Sequence, residues 1–579
     1  MVSVLYIDFR SIFFKYTVVR VVGQFLRKLL RNRGCWFAII QDLMSTRRSA
    51  KFLRNLFIND VGRVLIILVL DDDSINTVKQ LAFVSQALRL QGWTVQVVFR
   101  NQSMVIGKLY FQAFGVRRFI YLEGYVLNAQ EIALCQQKAE EFLLKPISLQ
   151  AIKAWTFQGS WIGPQIIATL SRVRYEGSLQ LNQPDIKLRI KEILVQSIQN
   201  VLRANKLFEE HPTDLAISNE VNYTAFGPLT DAAIGSGCDV IQVVQPWRDD
   251  ALTCRRLTSK TRRQHPSSVS KNTLDRLVQK VWTDNEQKVL DQMFQDRYGG
   301  RWFLQERNQR NTRRYSVDEL AIRFGLDRQK PTAVIFSHVL WDANLFYGDD
   351  LFEDYGEWFV ETVRAACSNH ALNWLIKVHP ANVWKRNYER ITQEYAELVL
   401  IDRAIGQLPD HVKLIAADDD ICTLSLFESI DYGVTVRGTS GMELVCFGKH
   451  CVTAGTGRYS GLGFTLDSYD REQYYARLAN LHLQPPMSIE ETQRAKWHAY
   501  AAFELRPWKM LSAKAEYSYP KMGQGPLDHN LELTVSSLGD LEANGDLLKW
   551  AKWAIGKDID YLDTQESRGE WLEIRDRKT

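Results

Sequence analysis

The chain has 579 residues, of which 46% are apolar and 24% are charged, and its formal net charge is +5. This length predicts at least two domains with separate cores, and the composition is that of a globular rather than a disordered protein. No run of 18 apolar residues and no signal-peptide pattern occurs, so we expect no membrane span and no secretory leader. The eight cysteines form no C-x-x-C pair, which predicts reduced thiols in a cytoplasmic protein.

Residues 1–59 form a basic N-terminal extension, with 11 Lys and Arg against two Asp. Residues 12–31 predict a cationic amphipathic helix, although the β-branched run 17–22 also allows a strand. Such a helix favours peripheral contact with an anionic membrane surface, and the alternative is a helix packed on the first domain. No nucleic-acid-binding motif accompanies the charge, so we expect no nucleic-acid partner.

Strands and helices alternate in the first half, which we place at 60–300. The apolar or β-branched segments that predict strands are 64–70, 94–99, 117–122, 214–220 and 239–244. A helix is predicted over 77–90, and 140–205 is mainly helical. This alternation predicts a parallel sheet covered on both faces.

The pattern pauses and then restarts at Pro331. Residues 255–330 are polar and basic and indicate an interdomain region, with the linker itself at 301–330. The second half, 331–488, predicts strands at 332–338, 373–378, 412–415, 433–436 and 451–454, and helices at 355–367 and 423–429. The Trp-rich remainder, 489–579, predicts a helical segment and a charged tail.

Two such halves predict an α/β protein of the GT-B type, in which two Rossmann-like domains face each other across a cleft. Ligands of these sheets bind beyond the carboxyl ends of the strands. Functional polar side chains are therefore expected at the predicted strand ends of the second half.

Two strands of the second half end in residues suited to phosphate. The first ends in Ser337 and His338, where the histidine can donate to a diphosphate and the serine can cap the next helix. The second ends in Lys377-Val378-His379-Pro380, which places Lys377 and His379 on one face because side chains two apart in a strand share a face. A cation and a donor there can stabilise a departing nucleotide phosphate.

The segment G-T-S-G-M-E (438–443) follows a third strand and begins a helix. The backbone amide of Gly438 and the hydroxyls of Thr439 and Ser440 lie where a helix N-terminus attracts anions. Glu443 can reach a ribose diol, and the alternative is an ordinary helix start with a favourably placed acid.

A transferase also needs a base that deprotonates the acceptor hydroxyl. Glu220, at the end of a first-half strand, has the expected type and position, and Asp231 and Asp342 are rivals. The triplets 71–73 and 418–420 are acidic, but adjacent carboxylates in loops more often form turns or caps, so we expect no metal site. H-E-x-x-H, Walker A and G-x-S-x-G motifs do not occur in the sequence, which argues against metalloproteases, P-loop NTPases and α/β-hydrolases.

Together these motifs resemble the capsule polysaccharide biosynthesis family of bacterial glycosyltransferases, which includes Kdo transferases. The resemblance covers roughly residues 210–510 and rests on E-V-N-Y-T-A-F-G (220–227), R-R-L-T-S-K-T-R-R-Q-H-P-S-S-V-S (255–270), S-H-V-L-W-D-A-N (337–344), W-L-I-K-V-H-P (374–380), R-G-T-S-G-M-E-L-V-C-F-G-K (437–449), R-Y-S-G-L-G-F-T (458–465) and A-F-E-L-R-P-W (502–508). It implies a GT-B fold, a nucleotide-sugar donor, no essential metal or other cofactor, and nucleotide binding by His379 and the 438–443 turn. More distantly, the chain resembles teichoic-acid polymerases that use CDP-glycerol.

The sequence therefore favours a glycosyltransferase that acts at the cytoplasmic membrane face on a glycan or lipid-linked acceptor. Its donor would be a nucleotide-sugar, with a CMP-Kdo-like donor as one candidate. Two alternatives remain open at this stage: a transferase of a CDP-activated alcohol phosphate, and a non-catalytic export or scaffold protein.

Overall fold

The computed structural model describes residues 35–56, 59–69, 74–174, 178–302, 311–341, 346–389, 392–517, 527 and 529–564. Four features predicted from the sequence lie outside these residues: the amphipathic helix over 12–31, the triplet 71–73, the candidate base Asp342 and the tail from 565.

The described residues contain fifteen strands. In chain order they are β1 (Arg63–Leu68), β2 (Thr94–Phe99), β3 (Arg118–Tyr121), β4 (Leu215–Ser218), β5 (Asp239–Val244), β6 (Ala251–Leu257), β7 (Thr332–Phe336), β8 (Asn373–Lys377), β9 (Val412–Ile415), β10 (Tyr432–Thr435), β11 (His450–Thr453), β12 (Leu466–Asp467), β13 (Pro507–Lys509), β14 (Ala513–Tyr517) and β15 (His529–Leu533).

Helices connect most of these strands. The α-helices are Trp36–Ser49, Ile75–Arg89, Val105–Ala113, Ala129–Leu143, Leu149–Lys153, Ile162–Arg174, Pro184–Glu210, Gly227–Gly235, Lys271–Leu277, Asp284–Tyr298, Val317–Phe324, Tyr355–Ser368, Ala381–Glu389, Ala396–Ala404, Thr423–Ser429, Thr439–Leu444, Arg471–Ala479, Ile489–Tyr500, Leu538–Asn544 and Asp546–Ile555. A π-helical turn, Ala501–Leu505, continues the helix Ile489–Tyr500.

Two sheets repeat the same strand order. The first runs β13-β6-β5-β4-β1-β2-β3 and the second runs β12-β11-β10-β7-β8-β9. Strands β1 to β5 pair in parallel, as do all six strands of the second sheet. Each half thus has the doubly wound 3-2-1-4-5-6 order, in which the strand order reverses beside the first strand. The predicted α/β fold class is confirmed.

Both sheets are buried on both faces because apolar side chains leave every strand in alternating directions. In β7, Ala333 and Ile335 belong to one core cluster, whereas Val334 and Phe336 belong to another on the opposite face. In β1 the same alternation separates Val64, Ile66 and Leu68 from Leu65 and Ile67. Fully burying one such aliphatic side chain contributes about 1.5–3 kcal/mol.

The region 255–330, which its polar composition indicates to be interdomain, is largely folded into the two halves. Strand β6 is buried along its whole length although it contains Arg255 and Arg256. The charges of these two arginines are balanced by Asp560 and Asp239. The helices Lys271–Leu277 and Asp284–Tyr298 contribute apolar residues to a core cluster of the second half.

The segment after residue 488 is not purely helical. After the helix Ile489–Tyr500 the chain returns to the first half, where β13 pairs antiparallel with β6. Trp508 and Trp550 are then buried in the core cluster of the first sheet. This return depends on pairing with a strand that lies about 250 residues earlier, which local periodicity does not report.

Among the described helices, none combines the length and apolar character that a membrane crossing requires.

Candidate functional site

A cavity of about 210 Å³ lies at the carboxyl ends of β7, β8 and β10, where the strand order of the second sheet reverses. Seven of the nine predicted site residues line it: Ser337, His338, Lys377, His379, Gly438, Thr439 and Ser440. A larger pocket of about 640 Å³ lies between residues 147–149, 178–184 and 353–357, and none of the predicted site residues line it. We therefore assign the smaller cavity as the candidate site.

His379 follows β8 and begins the turn into the helix Ala381–Glu389. Its Nδ1 accepts a hydrogen bond from the Ala381 amide at 3.1 Å. In the neutral ring the proton then resides on Nε2, which makes that nitrogen a hydrogen-bond donor. Pro380 ends the strand here because it offers no amide hydrogen to a sheet.

Ser337 fixes the backbone of this turn. Its hydroxyl accepts from the His379 amide at 2.9 Å and donates to Glu397 Oε1 at 3.1 Å. Asn382 donates to the same carboxyl oxygen at 2.9 Å. The helix that follows, Tyr355–Ser368, is capped by Asp354 and not by Ser337 as predicted; the Asp354 side chain accepts a hydrogen bond from the Glu357 amide. Ser337 does not act as a helix cap because its hydroxyl is engaged between Glu397 and the His379 backbone.

His338 anchors the turn after β10. Its Nε2 accepts from the backbone amides of Val436 and Arg437, at 3.2 and 3.4 Å. Burial, reinforced by the nearby Arg437 charge, holds the pKa of His338 well below its usual value. The ring is therefore neutral, with Nε2 as an acceptor, so this nitrogen does not donate to a phosphate as the sequence suggested.

Lys377 is a buried cation that lines the cavity, with 5% of its surface exposed. Burial lowers its pKa to about 8, an effect opposed by the Asp419 charge. Within the part of the chain that the structure describes, no carboxylate lies within ion-pairing distance of its ammonium group. A buried cation without a counter-ion is costly unless an anion binds beside it.

The turn after β10 presents Gly438, Thr439 and Ser440 to the cavity, each half-buried. It is packed closely against Tyr459, whose hydroxyl donates to the Gly438 carbonyl at 2.7 Å. A Cβ at Gly441 would lie 2.2 Å from the Tyr459 hydroxyl oxygen, so only glycine fits there. The helix that follows, Thr439–Leu444, is short.

Glu443 does not line the cavity. It is fully buried, pairs with Arg297 at 2.6 Å and accepts a hydrogen bond from the Tyr298 hydroxyl. This placement leaves it no access to a ribose. Instead it holds Arg297 and Tyr298, which do line the cavity.

The candidate bases occupy different environments. Glu220 is half-buried after β4, and its Oε1 accepts from the amides of Val221 and Asn222 at 2.7 and 2.9 Å. Asp231 is instead buried, paired with Arg262 at 2.6 Å and surrounded by three further donors, Ser160, Trp161 and Gln165. Its oxygens are therefore occupied, which argues against Asp231 as a base.

Glu220 is linked to the cavity through two residues of the cleft. Asn222, two positions later, donates to the Tyr347 hydroxyl at 2.6 Å. The Tyr347 ring in turn packs against His265, with ring centroids 4.9 Å apart, and His265 lines the cavity. Burial and then the Glu220 charge raise the pKa of Tyr347, so its hydroxyl stays protonated. Glu220 thus lies behind Tyr347 rather than in the cavity wall.

Ten residues that line the cavity were not predicted as site residues, and they include His265, Arg297, Tyr298, Arg437 and Arg458. His265 repeats the arrangement of His379, because it also precedes a proline and its Nδ1 accepts from the amide two residues later, that of Ser267, at 3.1 Å. The His-Pro dipeptide that His265 shares with His379 is the sequence signal from which His265 could have been predicted.

The acidic triplet 418–420 is engaged in ion pairs. Asp420 pairs with Arg313 and Arg323 and accepts from the Tyr315 hydroxyl, while Asp419 pairs with Arg323. The hydrogen bonds from Arg323 and Tyr315 lower the pKa of Asp420 to about 2. Among the described residues, no group of three or more His, Cys, Asp or Glu side chains is arranged to hold a metal ion.

Comparison with known proteins gives one family match. Residues 264–487 match the family model described as "Capsule polysaccharide biosynthesis protein". No curated protein matches the chain at a significant level.

Solved structures that match this chain include two of KpsC from Thermosulfurimonas dismutans. The β-Kdo 2,4 transferase is 13% identical, with a TM-score of 0.30 over 59% of this chain and 88% of that one. The β-Kdo 2,7 transferase is 12% identical, with a TM-score of 0.28 over 51% and 80%. The UDP-GlcNAc 2-epimerase of Neisseria meningitidis is 10% identical, with a TM-score of 0.24 over 76% and 97%. These values are too low to carry an argument about activity.

The family match contains the 337–339, 377–380 and 437–440 segments that contribute to the cavity wall. Over residues 264–487 it confirms the resemblance to the capsule polysaccharide biosynthesis family that the motifs indicate.

Proposed function

We propose that the protein is a glycosyltransferase that moves a sugar from a nucleotide-activated donor to a glycan or lipid-linked acceptor during surface polysaccharide synthesis. One observation carries this proposal. Three separate strand ends bring Ser337, Lys377, His379 and the 438–440 turn into one cavity at the point where the strand order reverses. Doubly wound sheets bind nucleotides at that position.

The cavity wall is suited to stabilising a departing nucleotide phosphate. The Lys377 ammonium and the Nε2–H of His379 are donors, and no carboxylate of the described residues lines the cavity. Such donors favour the transition state because negative charge grows on the leaving phosphate as the glycosidic bond breaks. Direct stabilisation of this kind requires no metal ion.

The acceptor side is proposed to be the cleft wall of the first half. Glu220 is the candidate base for the acceptor hydroxyl, and it is linked to the cavity through Asn222, Tyr347 and His265. For Glu220 to act, an acceptor must reach its carboxylate. The acceptor hydroxyl would then attack the anomeric carbon while its proton passes to Glu220.

The experiment that tests this proposal is a thermal-shift screen against CMP, CDP, UDP, GDP, their sugar conjugates and CDP-glycerol. A ligand at a hundred times its Kd stabilises the folded protein by about 2.7 kcal/mol. We expect one nucleotide to raise the Tm, and the rise to be lost in His379→Ala. A CMP-specific response would favour a CMP-Kdo-like donor, and a CDP-glycerol response would favour alcohol phosphate transfer. A folded protein that responds to none of these ligands would favour a scaffold.

We also propose that the N-terminal region contacts an anionic membrane at its cytoplasmic face. In the helix Trp36–Ser49, Phe37, Ile40 and Met44 are exposed at 74%, 51% and 58% and lie at helical spacing. Arg47 and Arg48 occupy its last turn. An exposed apolar stripe beside basic residues fits an anionic lipid surface.

Vesicle sedimentation tests this contact. The full chain should sediment with vesicles that contain phosphatidylglycerol and much less with pure phosphatidylcholine. Phe37→Glu should weaken binding, whereas Ile322→Glu, at a position 76% exposed on another helix, should not. Equal sedimentation of both variants with the wild type would contradict the proposed contact.

A further inference from the structure

The charges around the cavity are not balanced. Among the described residues, four cationic side chains line it, Arg297, Lys377, Arg437 and Arg458, and no carboxylate does. Two of the four have partners outside the cavity wall: Arg297 pairs with Glu443, and Arg437 pairs with Asp350. These two arginines are therefore neutralised by the protein itself.

The other two cations have no such partner. Within the described residues, neither Lys377 nor Arg458 has a carboxylate within ion-pairing distance. Arg458 donates one hydrogen bond, a long one of 3.5 Å, to the Arg437 carbonyl, and its Nε is buried with no hydrogen-bond partner. Leaving charged donors buried and unpaired is costly, so a protein that keeps them generally uses them for an anion.

A histidine donor lies close to each unpaired cation, in sequence for Lys377 and in space for Arg458. Lys377 precedes His379 by two residues on the same strand end. Arg458 follows Gly457, whose carbonyl accepts from the backbone amide of His265 at 2.9 Å. Burial and then the Arg458 charge lower the pKa of His265, which keeps the ring neutral with its proton on Nε2.

We propose that the cavity has two anion subsites, one formed by Lys377 and His379 and the other by Arg458 and His265, and that it selects a ligand with two separate acidic groups. This inference rests on the proposed function, because both subsites lie in the cavity that we propose to bind the nucleotide. The second acidic group has two chemical sources. It is either the second phosphate of a nucleoside diphosphate or the carboxylate of an acidic sugar joined to a nucleoside monophosphate.

Paired probes that differ by one acidic group test the inference. We would measure Kd by calorimetry for inorganic phosphate against pyrophosphate, CMP against CDP, and CMP against CMP-N-acetylneuraminate. The wild type should bind the better member of at least one pair about tenfold or more tightly, the usual scale of a charge-assisted contact. Arg458→Met should remove that advantage while leaving the affinity for the simpler member nearly unchanged.

The variants separate ligand binding from folding. Because Arg458 is unpaired in the ligand-free protein, Arg458→Met should not lower the Tm without ligand, whereas a structural arginine would. Arg458→Lys should retain part of the advantage because it keeps the charge. Arg364→Met, which removes an exposed arginine paired with Glu361, is the matched control and should behave as the wild type.

The pattern of loss identifies the second group. Loss of the CDP advantage assigns Arg458 to a second phosphate, and loss of the CMP-N-acetylneuraminate advantage assigns it to a sugar carboxylate. Equal weakening of all ligands in Arg458→Met, or no advantage within any pair, would overturn the inference. Binding of pyrophosphate that depends on Arg458, without binding of any nucleotide, would instead support two subsites and contradict the glycosyltransferase proposal.

Discussion

Two His-Pro turns border the cavity, and they are built alike but supported differently. The His265 turn comprises residues 264–270, and the His379 turn comprises residues 377–382. In each, the histidine Nδ1 accepts the amide of the residue two positions later, at 3.1 Å in both. The dipeptide therefore fixes the tautomer locally, because proline directs the chain back toward the ring.

The His265 turn is supported by buried charges, two of which, Arg506 and Asp560, are distant in sequence. Arg506 donates to the Pro266 carbonyl at 2.8 Å, and Arg255 donates to the Ser268 carbonyl at 2.7 Å. Asp560 lies 3.4 Å from Arg255 and 3.7 Å from Arg506, and it accepts from the Ser270 amide at 2.8 Å. The position of this turn therefore depends on the return of the C-terminal segment to the first sheet.

The His379 turn is supported by a hydrogen-bond network around one buried carboxyl group. Ser337 connects the His379 amide to Glu397, and Asn382 donates to the same carboxyl oxygen. Within the described residues, no Lys or Arg forms an ion pair with Glu397. The comparison shows that the same dipeptide geometry can be held either with buried ion pairs or by hydrogen bonds without them.

Removing the charge at the His265 turn should have the largest effect on stability. Asp560→Asn leaves two fully buried arginines without a counter-ion, and we expect it to lower the free energy of unfolding by about 3–5 kcal/mol. Burial alone would raise the pKa of Asp560, but Arg506 and Arg255 outweigh it and lower the pKa. The stabilisation should therefore be complete at neutral pH and should fade only as pH falls below about 4.

Urea unfolding followed by tryptophan fluorescence measures this change. Asp558→Asn, two residues earlier, is the control and should cost much less. If both variants were equally stable, the buried ion pairs would not be what holds the His265 turn.

Replacing the histidines should have the next largest effect, on affinity rather than on stability. If both turns serve one ligand, His265→Ala and His379→Ala should each weaken its binding about tenfold or more, since each removes a donor to a charged group. Calorimetry with the nucleotide identified by the thermal-shift screen would measure both. His211→Ala is the control, since His211 also precedes a proline but ends the helix Pro184–Glu210 and does not line the cavity.

A large loss in His379→Ala together with an unchanged affinity in His265→Ala would separate the two turns. The His265 turn would then be a structural element of the cleft and would not contact the ligand.

Much of the second half could be predicted because its signals are local. The strands at 332–336, 373–377 and 432–435 were expected from apolar runs, and their polar ends converge because parallel strands end at one edge of a sheet. The local pattern also places Lys377 and His379 correctly in the cavity wall. The local pattern does not show which carboxylates form ion pairs. It therefore predicted a ribose contact for Glu443, whose carboxylate is paired with Arg297.

What the sequence did not predict depends on contacts between distant segments. In the sequence, strand β6 resembles a polar connector because it contains two adjacent arginines. In the structure these arginines are paired with Asp560 and Asp239, which allows the strand to be buried. Its partner β13 is only three residues long. His265 does not end a strand, and its turn is held at the cavity by supports about 240 and 290 residues away.

The buried ammonium group of Lys377 should make the His379 side of the cavity sensitive to pH. Because its pKa is about 8 in the ligand-free protein, the charged fraction falls as pH rises. Affinity for an anionic ligand should therefore decrease about tenfold between pH 7 and pH 9, since only the protonated amine attracts the anion. Isothermal calorimetry over this range would measure it.

Lys377→Arg provides the control, because a guanidinium remains charged throughout this range. If it binds, its affinity should be nearly independent of pH. An equal decline in this variant and in the wild type would assign the pH dependence to another group.

Neutralising the acid at the His379 turn should have the smallest effect, in contrast to Asp560. In Glu397→Gln the amide oxygen can still accept from Ser337 and Asn382, and no ion pair with a Lys or Arg of the described chain is lost. We expect the free energy of unfolding to change by less than about 1 kcal/mol. Burial raises the pKa of Glu397, so deprotonation disfavours the folded wild type. The variant should consequently gain stability relative to the wild type as pH rises, whereas Asp560→Asn should lose stability relative to it. A loss in Glu397→Gln as large as that in Asp560→Asn would mean that the His379 turn also depends on a charge, and the contrast between the two turns would fail.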